Sequence, residues 1–262
     1  MPPLALVGNL ARDRLDGGCP RIGGAPYHGT FAFRALGRQA RIVAKCGADD
    51  RRPFQRALAA LGFTPTMLRS RETAEFRIAY DGASRRMEIG AIGDPWTPED
   101  VASLPRGGWV HVAPLARSDF PLETLAEIAR GRRVLLDGQG LVRRAQLGPL
   151  ELDPEYDPEV LRHVAILKLA DEEARVLGPV AELGVAEVVV TMGPRGAAVY
   201  AGGELERVPA REVPAPDPTG AGDAFAAAYV ASRADGFRPT AAARRATAVV
   251  AAVLNARLRR PA

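Results

Sequence analysis

The sequence has few of the residues that build disulfide frameworks, metal clusters or catalytic triads. Its 262 residues include only two cysteines, Cys19 and Cys46, and three histidines. Two cysteines are too few for a disulfide framework, and their spacing is not that of a metal site. Three histidines support neither a His-rich metal cluster nor a Ser-His-Asp triad. This composition predicts a reduced, cytoplasmic location.

Long apolar runs and two common nucleotide-binding loops are also absent. No uninterrupted apolar run has membrane-spanning length. The N-terminus enters a strand-like segment at once, without the basic start and cleavage site of a signal peptide. No G-x-x-x-x-G-K-[ST] loop is present, which excludes a P-loop kinase. No G-x-G-x-x-G follows the first strand, which counts against a Rossmann oxidoreductase. We expect no membrane partner.

Lysine is scarce, although the chain is basic. The net charge is +4, the pI is about 9.4, and only Lys45 and Lys168 are lysines. The arginines are spread along the chain and form no continuous patch, so a nucleic-acid-binding function is rejected. The densest basic group, Arg257 with Arg259 and Arg260, is expected to be a solvated tail.

Short apolar runs that alternate with helical patterns are the main structural signal. This alternation predicts a single α/β domain, residues 1–262, with a mostly parallel sheet covered by helices. The predicted core strands cover residues 4–7, 42–44, 109–112, 134–136, 165–167 and 188–190. The predicted helices cover residues 30–36, 54–61, 122–129, 171–177, 180–183, 221–234 and 239–257.

One region departs from this rhythm. Residues 73–80 and 86–92 both alternate between apolar and polar side chains, and residues 81–84 lie between them. The pattern predicts a β-hairpin with one wet face, and a second polar excursion covers residues 9–19. By itself the alternation is compatible with a hairpin at the edge of the main sheet. Because a two-stranded ribbon is marginal alone and exposed edges pair, we expect a homodimer through residues 73–92.

The most informative segment runs from Asp217 to Asp223, with the sequence D-P-T-G-A-G-D, and continues into the apolar run 224–230. A glycine-rich turn that opens into a helix leaves backbone N–H groups at the positive end of the helix dipole, which is an anion site. As a carboxylate, Asp223 would repel a bound phosphate. Its position has a chemical use if it takes a proton from the group that attacks that phosphate. Together these features indicate phosphoryl transfer to a hydroxyl. The alternative is a helix start whose small residues serve tight packing.

This segment resembles the C-terminal signature of the ribokinase (PfkB) family of carbohydrate kinases, with Pro218 where Thr is commoner. The resemblance implies a ribokinase-like three-layer sandwich, in which helices flank a mostly parallel central sheet. It also implies a small β-lid from about residues 10–22 and 71–93. Asp223 would be the catalytic base, and the N–H groups around Gly220, Ala221 and Gly222 would form the anion hole. The implied cofactors are ATP and Mg²⁺.

A second segment, residues 23–37 continuing to residues 45–49, is similar to the family pattern G-G-x-x-x-N-x-A…L-G…G-x-D. The resemblance implies that Asp13, Gly23 and Gly24 face the hydroxyls of the acceptor. His28 stands where the family usually has Asn and becomes a candidate substrate contact. Asp13 could instead cap a turn, and His28 could be a packing residue.

Two more segments resemble family motifs, and the resemblance implies contacts with the phosphoryl donor. Residues 168–174 resemble the N-x-x-E motif, with Ala170 in the Asn position, which implies that Glu173 organises Mg²⁺ through water and that Lys168 contacts the cofactor. Dipole complementarity explains an acidic first helical turn equally well. Residues 191–197 match the T-x-G-x-x-G turn, which implies that Thr191, Gly193 and Gly196 touch the nucleotide.

Polar residues after the core strand 134–136 complete the candidate site. The carboxyl ends of parallel strands face the ligand crevice, so Gln139 and Arg143 are expected to contact the substrate or the transferred phosphate. Arg143 could also be a surface arginine.

The function predicted from these segments is an ATP-dependent phosphotransferase that acts on a hydroxyl of a small sugar or polyol, such as a ribose-, hexose- or inositol-like compound. One alternative is a nucleoside or hydroxymethylpyrimidine kinase, with Phe76, Tyr80 or Tyr27 stacking on a base. The other is a non-catalytic binding protein on the same scaffold.

Overall fold

A computed structural model describes residues 2–16, 18–81, 84–211, 213 and 217–258. The strands are β1 (Leu4–Asn9), β2 (Ala11–Leu15), β3 (Arg21–Gly23), β4 (Arg41–Cys46), β5 (Thr66–Arg69), β6 (Ala74–Asp81), β7 (Ser84–Ala91), β8 (Trp109–Ala113), β9 (Arg133–Asp137), β10 (Gly148–Pro149), β11 (Ile166–Ala170), β12 (Glu187–Thr191), β13 (Ala197–Ala201) and β14 (Glu204–Val208). The helices are α1 (Ala25–Ala35), α2 (Ala48–Ala60), α3 (Pro98–Val101), α4 (Leu122–Ala129), α5 (Gln139–Val142), α6 (Asp171–Leu177), α7 (Ala221–Ala234) and α8 (Pro239–Leu258). Short 3₁₀ helices cover Pro158–His163, Val180–Glu182 and Gly193–Arg195.

The central sheet has nine strands in the order β14-β13-β12-β11-β9-β8-β1-β4-β5. The seven strands from β12 to β5 run parallel, and β13 and β14 are antiparallel at one edge. All six residues of β1 are buried, as expected for a parallel strand that is covered on both faces. The predicted mostly parallel sheet is confirmed, and each of the six predicted core strands lies in it.

Helices cover both faces of this sheet because successive side chains of each strand point in opposite directions. Leu6 faces a cluster formed with α1, α7 and α8. Its neighbour Val7 faces the cluster that contains Leu125 and Ile128 of α4. The alanines of α7 and α8 keep their side chains small where the two helices meet, so the helices pack closely over the sheet. This arrangement is the predicted three-layer sandwich.

The first two helices begin earlier than their apolar patterns predict. Helix α1 begins at Ala25, after Gly24 with φ 88° as its N-cap and with a proline in the first turn. Helix α2 begins at Ala48 with acidic residues in its first turn, which favours that end of the helix. Predicted segments 122–129, 171–177 and 221–234 coincide with α4, α6 and α7. Among the described helices, none combines the length and apolar character needed to cross a bilayer.

A second sheet of five strands lies beside the first, in the order β10-β7-β6-β2-β3. The predicted hairpin is present as β6 and β7, while residues 82 and 83 of its turn lie outside the described part of the chain. One face is apolar and packs Phe76, Ile78 and Ile89 with Leu115. The opposite face carries charged side chains, among them Glu75.

The edges of the hairpin are partly covered. Strand β2 pairs in parallel with residues 74–78 of β6, and β10 pairs with two residues of β7, Glu88 and Ile89. The polar excursion after the first strand and residues 148–149 therefore supply strands to this sheet. They cover part of the edge that was expected to recruit a second subunit. Dimerisation through residues 73–92 stays a prediction.

Candidate active site

Helix α7 begins at a tight turn that the sequence motif specifies. Gly220 is the N-cap residue and has a left-handed backbone with φ 76°, which favours glycine. The Asp217 carboxylate accepts a hydrogen bond of 3.0 Å from the Thr219 N–H, and the Ala221 N–H donates to the Pro218 carbonyl at 2.9 Å. The Ala221 amide is thus occupied within the turn. The following amides at the helix N-terminus face the site at the positive end of the helix dipole.

Asp223 is half-buried in the first turn of α7, among charged groups from other elements. Loss of solvation, together with the negative charges of Asp137 and Asp13, raises its pKa to about 7, although Lys168 and Arg143 oppose the shift. A carboxyl group with a pKa near 7 is suited to accept a proton at neutral pH. The tertiary structure therefore surrounds Asp223 with residues that lie far apart in the sequence.

Lys168 is the middle residue of β11 and is buried. Its Nζ is 3.3 Å from Oδ1 of Asp137, and a Cβ on Gly222 would be 3.3 Å from the same Nζ. Burial disfavours the ammonium form, but the carboxylates of Asp137, Glu173 and Asp223 outweigh this effect and raise the pKa of Lys168. The amine therefore stays charged beside the first turn of α7.

Asp137 is a site residue that the sequence reasoning missed. It ends β9, is fully buried, and is the register partner of Lys168 across the β9–β11 pair. Within residues 136–143, the sequence predicts only Gln139 and Arg143 as site residues. A signal was available, because an aspartate at the end of an apolar strand and a lysine within the next strand point to a buried pair.

Arg143 and Gln139 follow β9 as the position of the strand predicts. Gln139 is buried at the start of α5, and the side chain of Arg143 is 13% exposed. Arg143 contributes to the electrostatic environment of Asp223, so the interpretation as a surface arginine is wrong. Its Nη2 lies 3.9 Å from Oε1 of Glu173.

Glu173 is buried at the start of α6, where its Oε2 accepts a hydrogen bond of 2.8 Å from the Ala170 N–H. Burial raises its pKa, and the charge of Lys168 opposes this shift. Within the described residues, no group of three His, Cys, Asp or Glu side chains converges as a metal site. The carboxylate of Glu173 accepts a hydrogen bond at the start of α6 and lies beside Arg143. The described residues around it do not form a binding site for a resident Mg²⁺. A role for Glu173 toward Mg²⁺ through water stays a prediction.

Asp13, Gly23 and Gly24 meet where β2, β3 and α1 approach each other. Asp13 is buried, and a Cβ on Gly23 would overlap its carboxylate. Gly24 has φ 88°, and a Cβ there would overlap the carbonyl oxygen of Asn9. The glycine pair thus allows the start of α1 to lie directly against Asp13 and the end of β1, which fixes the carboxylate near the N-terminus of α7.

His28 lies in α1 between the glycine pair and the Gly220 turn, and a Cβ on Gly220 would overlap its ring. Burial and the charge of Arg257 lower the pKa of His28 to about 3, with Asp217 opposing. Nδ1 is 3.3 Å from Nη2 of Arg257. Nε2 is buried and has no hydrogen-bond partner among the described residues.

Arg257 is not part of a solvated tail. It is half-buried in α8, donates through Nη1 to the Thr219 carbonyl at 2.7 Å, and lies over the Phe31 ring at 5.3 Å. The acidic turn at Asp217 and the aromatic face of α1 hold the guanidinium, and neither is adjacent to it in sequence. Arg259 and Arg260 lie outside the described residues.

A cavity of about 320 Å³ adjoins the Gly220 turn. Thr191, Gly193 and Gly196 line one side of it, and Ala221 and Gly222 line another. Apolar side chains complete the lining, including Phe225, Val250 and Leu254. The structure therefore brings the predicted nucleotide-contacting turn to the same cavity as the helix N-terminus.

Comparison with known proteins agrees with this geometry. The model of the pfkB family carbohydrate kinases matches residues 152–259. This match confirms the predicted resemblance to the pfkB family. It is 32% identical over 217 residues to an inositol 3-kinase of Zea mays, and 26% identical over 266 residues to a fructokinase of Klebsiella pneumoniae. These alignments cover 77% and 87% of this chain; the chain spans 55% of the length of the maize relative and 83% of that of the bacterial one.

The fold is that of the ribokinase family. A solved structure of a pyrophosphate-dependent kinase in the ribokinase family, complexed with a pyrophosphate analog and myo-inositol, superposes with a TM-score of 0.84. The two chains are 22% identical, and the superposition covers 96% of this chain and 95% of the other. The family match includes Lys168, Glu173 and Asp223. The residues of the predicted acceptor side, such as Asp13 and His28, lie outside it.

Proposed function

We propose that the protein is a kinase that transfers the γ-phosphoryl group of ATP to a hydroxyl of a small sugar or polyol. The observation that carries this proposal is the position of Asp223, a carboxyl group with a pKa of about 7 in the first turn of α7. A carboxylate beside an anion-binding helix terminus has a chemical use when it accepts the proton of an attacking hydroxyl.

In this mechanism Asp223 takes the hydroxyl proton as the substrate oxygen attacks the γ-phosphorus. A bond forms between that oxygen and the phosphorus, and the bond from the phosphorus to the β,γ-bridging oxygen breaks, so ADP leaves with the electron pair. The N–H groups at the start of α7 and the ammonium of Lys168 stabilise the charge on the transferred group. Arg143 adds a second cation near Asp223. Mg²⁺ bound to the donor phosphates would neutralise part of their charge.

ATP is the donor that the cavity beside Gly220 supports. The cavity of about 320 Å³ is lined by apolar side chains such as Phe225 and Leu254. The apolar part of this lining suits a planar base, and Arg211 in the same lining offers a cation to the donor phosphates. Thr191, Gly193 and Gly196 would contact the nucleotide from the opposite wall. Pyrophosphate, which the structurally similar inositol-bound kinase uses, is the second candidate donor.

A sugar or polyol is the acceptor that the other side of Asp223 supports. Asp13, Gly23, Gly24, His28 and Gln139 would hold its hydroxyls, with the lid formed by the second sheet above them. The alternative nucleoside kinase needs an aromatic platform. Phe76 is buried in the lid core and Tyr27 packs edge-on against Phe31, while the side chain of Tyr80 lies outside the described part. This packing favours the polyol.

Two further expectations remain predictions. A homodimer through residues 73–92 could use the part of β7 that β10 does not pair with, or the charged face of the lid sheet, where Arg14 lies 3.3 Å from Glu75 and Arg77 is exposed. Light scattering at micromolar concentration tests it, and a monomer would contradict it. A cytoplasmic location is the second expectation.

The proposed function is tested with the purified full chain, by following ADP or orthophosphate release. ATP or pyrophosphate is offered as the donor, with myo-inositol, fructose, ribose and adenosine as acceptors. We expect ADP and a phosphate monoester from a sugar or polyol. A preference for adenosine would indicate the nucleoside kinase. No turnover with any pair would favour the binding protein.

A further inference from the structure

The contact between Arg257 and His28 joins the last helix to the start of the first. Nη2 of Arg257 lies 3.3 Å from Nδ1 of His28, and Nη1 donates to the Thr219 carbonyl at 2.7 Å. The Phe31 ring supports the guanidinium at 5.3 Å. Three contacts therefore fix the arginine side chain against the imidazole.

The chemistry of this contact determines where the ring proton resides. A guanidinium has donors and no acceptor, and it stays protonated in proteins. The Nδ1 of His28 must therefore offer its lone pair to Arg257. A second charge on the ring is disfavoured, because burial and Arg257 lower the pKa of His28 to about 3. The ring is neutral and carries its proton on Nε2.

The Nε2–H is then a buried donor that no described residue accepts. Buried donors are paired in the great majority of cases, and an unpaired one calls for an explanation. The side chain of His28 is only 6% exposed. It lies one helical turn after Gly24 and directly against Gly220, between the proposed acceptor site and the anion hole.

We propose that Arg257 is a positioning residue for the acceptor site, which holds His28 as a donor at Nε2 so that the ring hydrogen-bonds a hydroxyl oxygen of a neutral polyol. This inference rests on the proposed function for its ligand, but the tautomer that it requires can be measured without any activity. Arg257 would act only through His28 on the acceptor. A packing role alone would give no reason for one fixed tautomer.

The first experiment is a long-range ¹H–¹⁵N correlation spectrum of the ¹⁵N-labelled full chain between pH 5 and pH 8. The chain has three histidines, so His28→Asn assigns the His28 signals by their loss. If His28→Asn does not fold, the signals lost in His163→Gln identify His163. The His28 signals are then assigned by elimination against those of buried His111. We expect a neutral ring with the proton on Nε2 throughout. A proton on Nδ1 in the wild-type protein would overturn the inference.

Arg257 variants test the link to His28. Arg257→Met keeps an unbranched side chain without donors and should let the ring populate both tautomers. Arg257→Lys, which also can only donate, should restore the Nε2–H form. A tautomer population in Arg257→Met identical to that of the wild-type protein would contradict the positioning role.

The final readout concerns the acceptor. Arg257→Met and His28→Phe should each raise the KM for a polyol acceptor roughly tenfold, the size expected for one lost hydrogen bond. The double variant should do no worse than either, because both changes remove the same donor. Independent, multiplying effects would overturn the inference. If the protein phosphorylates a polyol while His28 carries its proton on Nδ1, this inference alone is wrong. If His28 carries its proton on Nε2 but no acceptor is phosphorylated, the result counts against the proposed function.

Discussion

Gly220 lies directly against the imidazole ring of His28, and a Cβ built on Gly220 would overlap Cγ, Nδ1 and Cδ2 of that ring. The glycine is therefore required twice, once for its φ of 76° and once for this contact. The N-terminus of α7, which carries the proposed anion hole, is thus held in place by a residue of α1.

The Gly220–His28 contact predicts a coupling in stability. Gly220→Ala should lower the free energy of unfolding by more than the roughly 1–2 kcal/mol of a left-handed alanine, because the methyl group also displaces the ring. His28→Ala removes the overlapping atoms and should recover at least about 0.5 kcal/mol of that loss. Denaturant unfolding of the two single variants and the double variant measures this.

Gly236→Ala is the matched control. Gly236 has φ 88° at the other end of α7, and a Cβ there would meet nothing within 4 Å. His28→Ala should leave the cost of Gly236→Ala unchanged. If His28→Ala also left the cost of Gly220→Ala unchanged, the His28 ring would move away from the added methyl group without loss of stability, and the predicted coupling would be absent.

Asp223→Asn should fold normally, bind ATP, and lose turnover by on the order of 10² to 10⁴, the range expected when a general base is removed. The substitution keeps the shape of the side chain and removes its basicity. Steady-state kinetics with circular dichroism of the variant measure both parts. Glu172→Gln, which alters an exposed carboxylate at the start of α6, should leave turnover unchanged. Turnover of Asp223→Asn within a few-fold of the wild-type value would remove Asp223 from the mechanism.

The pKa of Asp223 predicts the acid limb of the pH profile. The base must be deprotonated, so kcat/KM should rise with pH through about 7. Asp137→Asn removes a negative charge that raises this pKa and should move the limb to lower pH. Lys168→Met removes a positive charge that lowers it and should move the limb to higher pH. Shifts of the same sign in both variants would show that the limb does not report Asp223.

A larger side chain in the cavity beside the anion hole should weaken the binding of ATP. Val250→Phe places a larger side chain in the lining and should raise the KM for ATP roughly tenfold or more, while the KM for the acceptor stays nearly constant. Ala252→Phe puts the same ring on an exposed position of α8 that does not line this cavity. Equal KM values for ATP in the two variants would indicate that no base binds there.

Much of the secondary structure could be predicted from the sequence, because its signals are local. The apolar runs of β1 and β8 are bounded by proline and glycine. The motif at Asp217 to Asp223 specifies both the turn and the start of α7. Such patterns depend on neighbours within one or two turns. The start of α1 was missed because Pro26 and Gly29 in its first turns interrupt the apolar helical pattern. The start of α2 was missed because charged residues follow Ala48.

The sequence by itself determined the parallel α/β architecture, the glycine-rich turn and the carboxylate at its end. Only the tertiary structure decided what surrounds that carboxylate, because the groups come from strands and helices far apart in the chain. The Asp137–Lys168 pair depends on the register of β9 and β11, and the contact of Arg257 with His28 spans 229 positions. The same holds for the lid, in which β2 and β10 pair with parts of the two hairpin strands. Pairing between distant segments has no local signature, so burial, charge and the pKa of Asp223 follow from the folded chain alone.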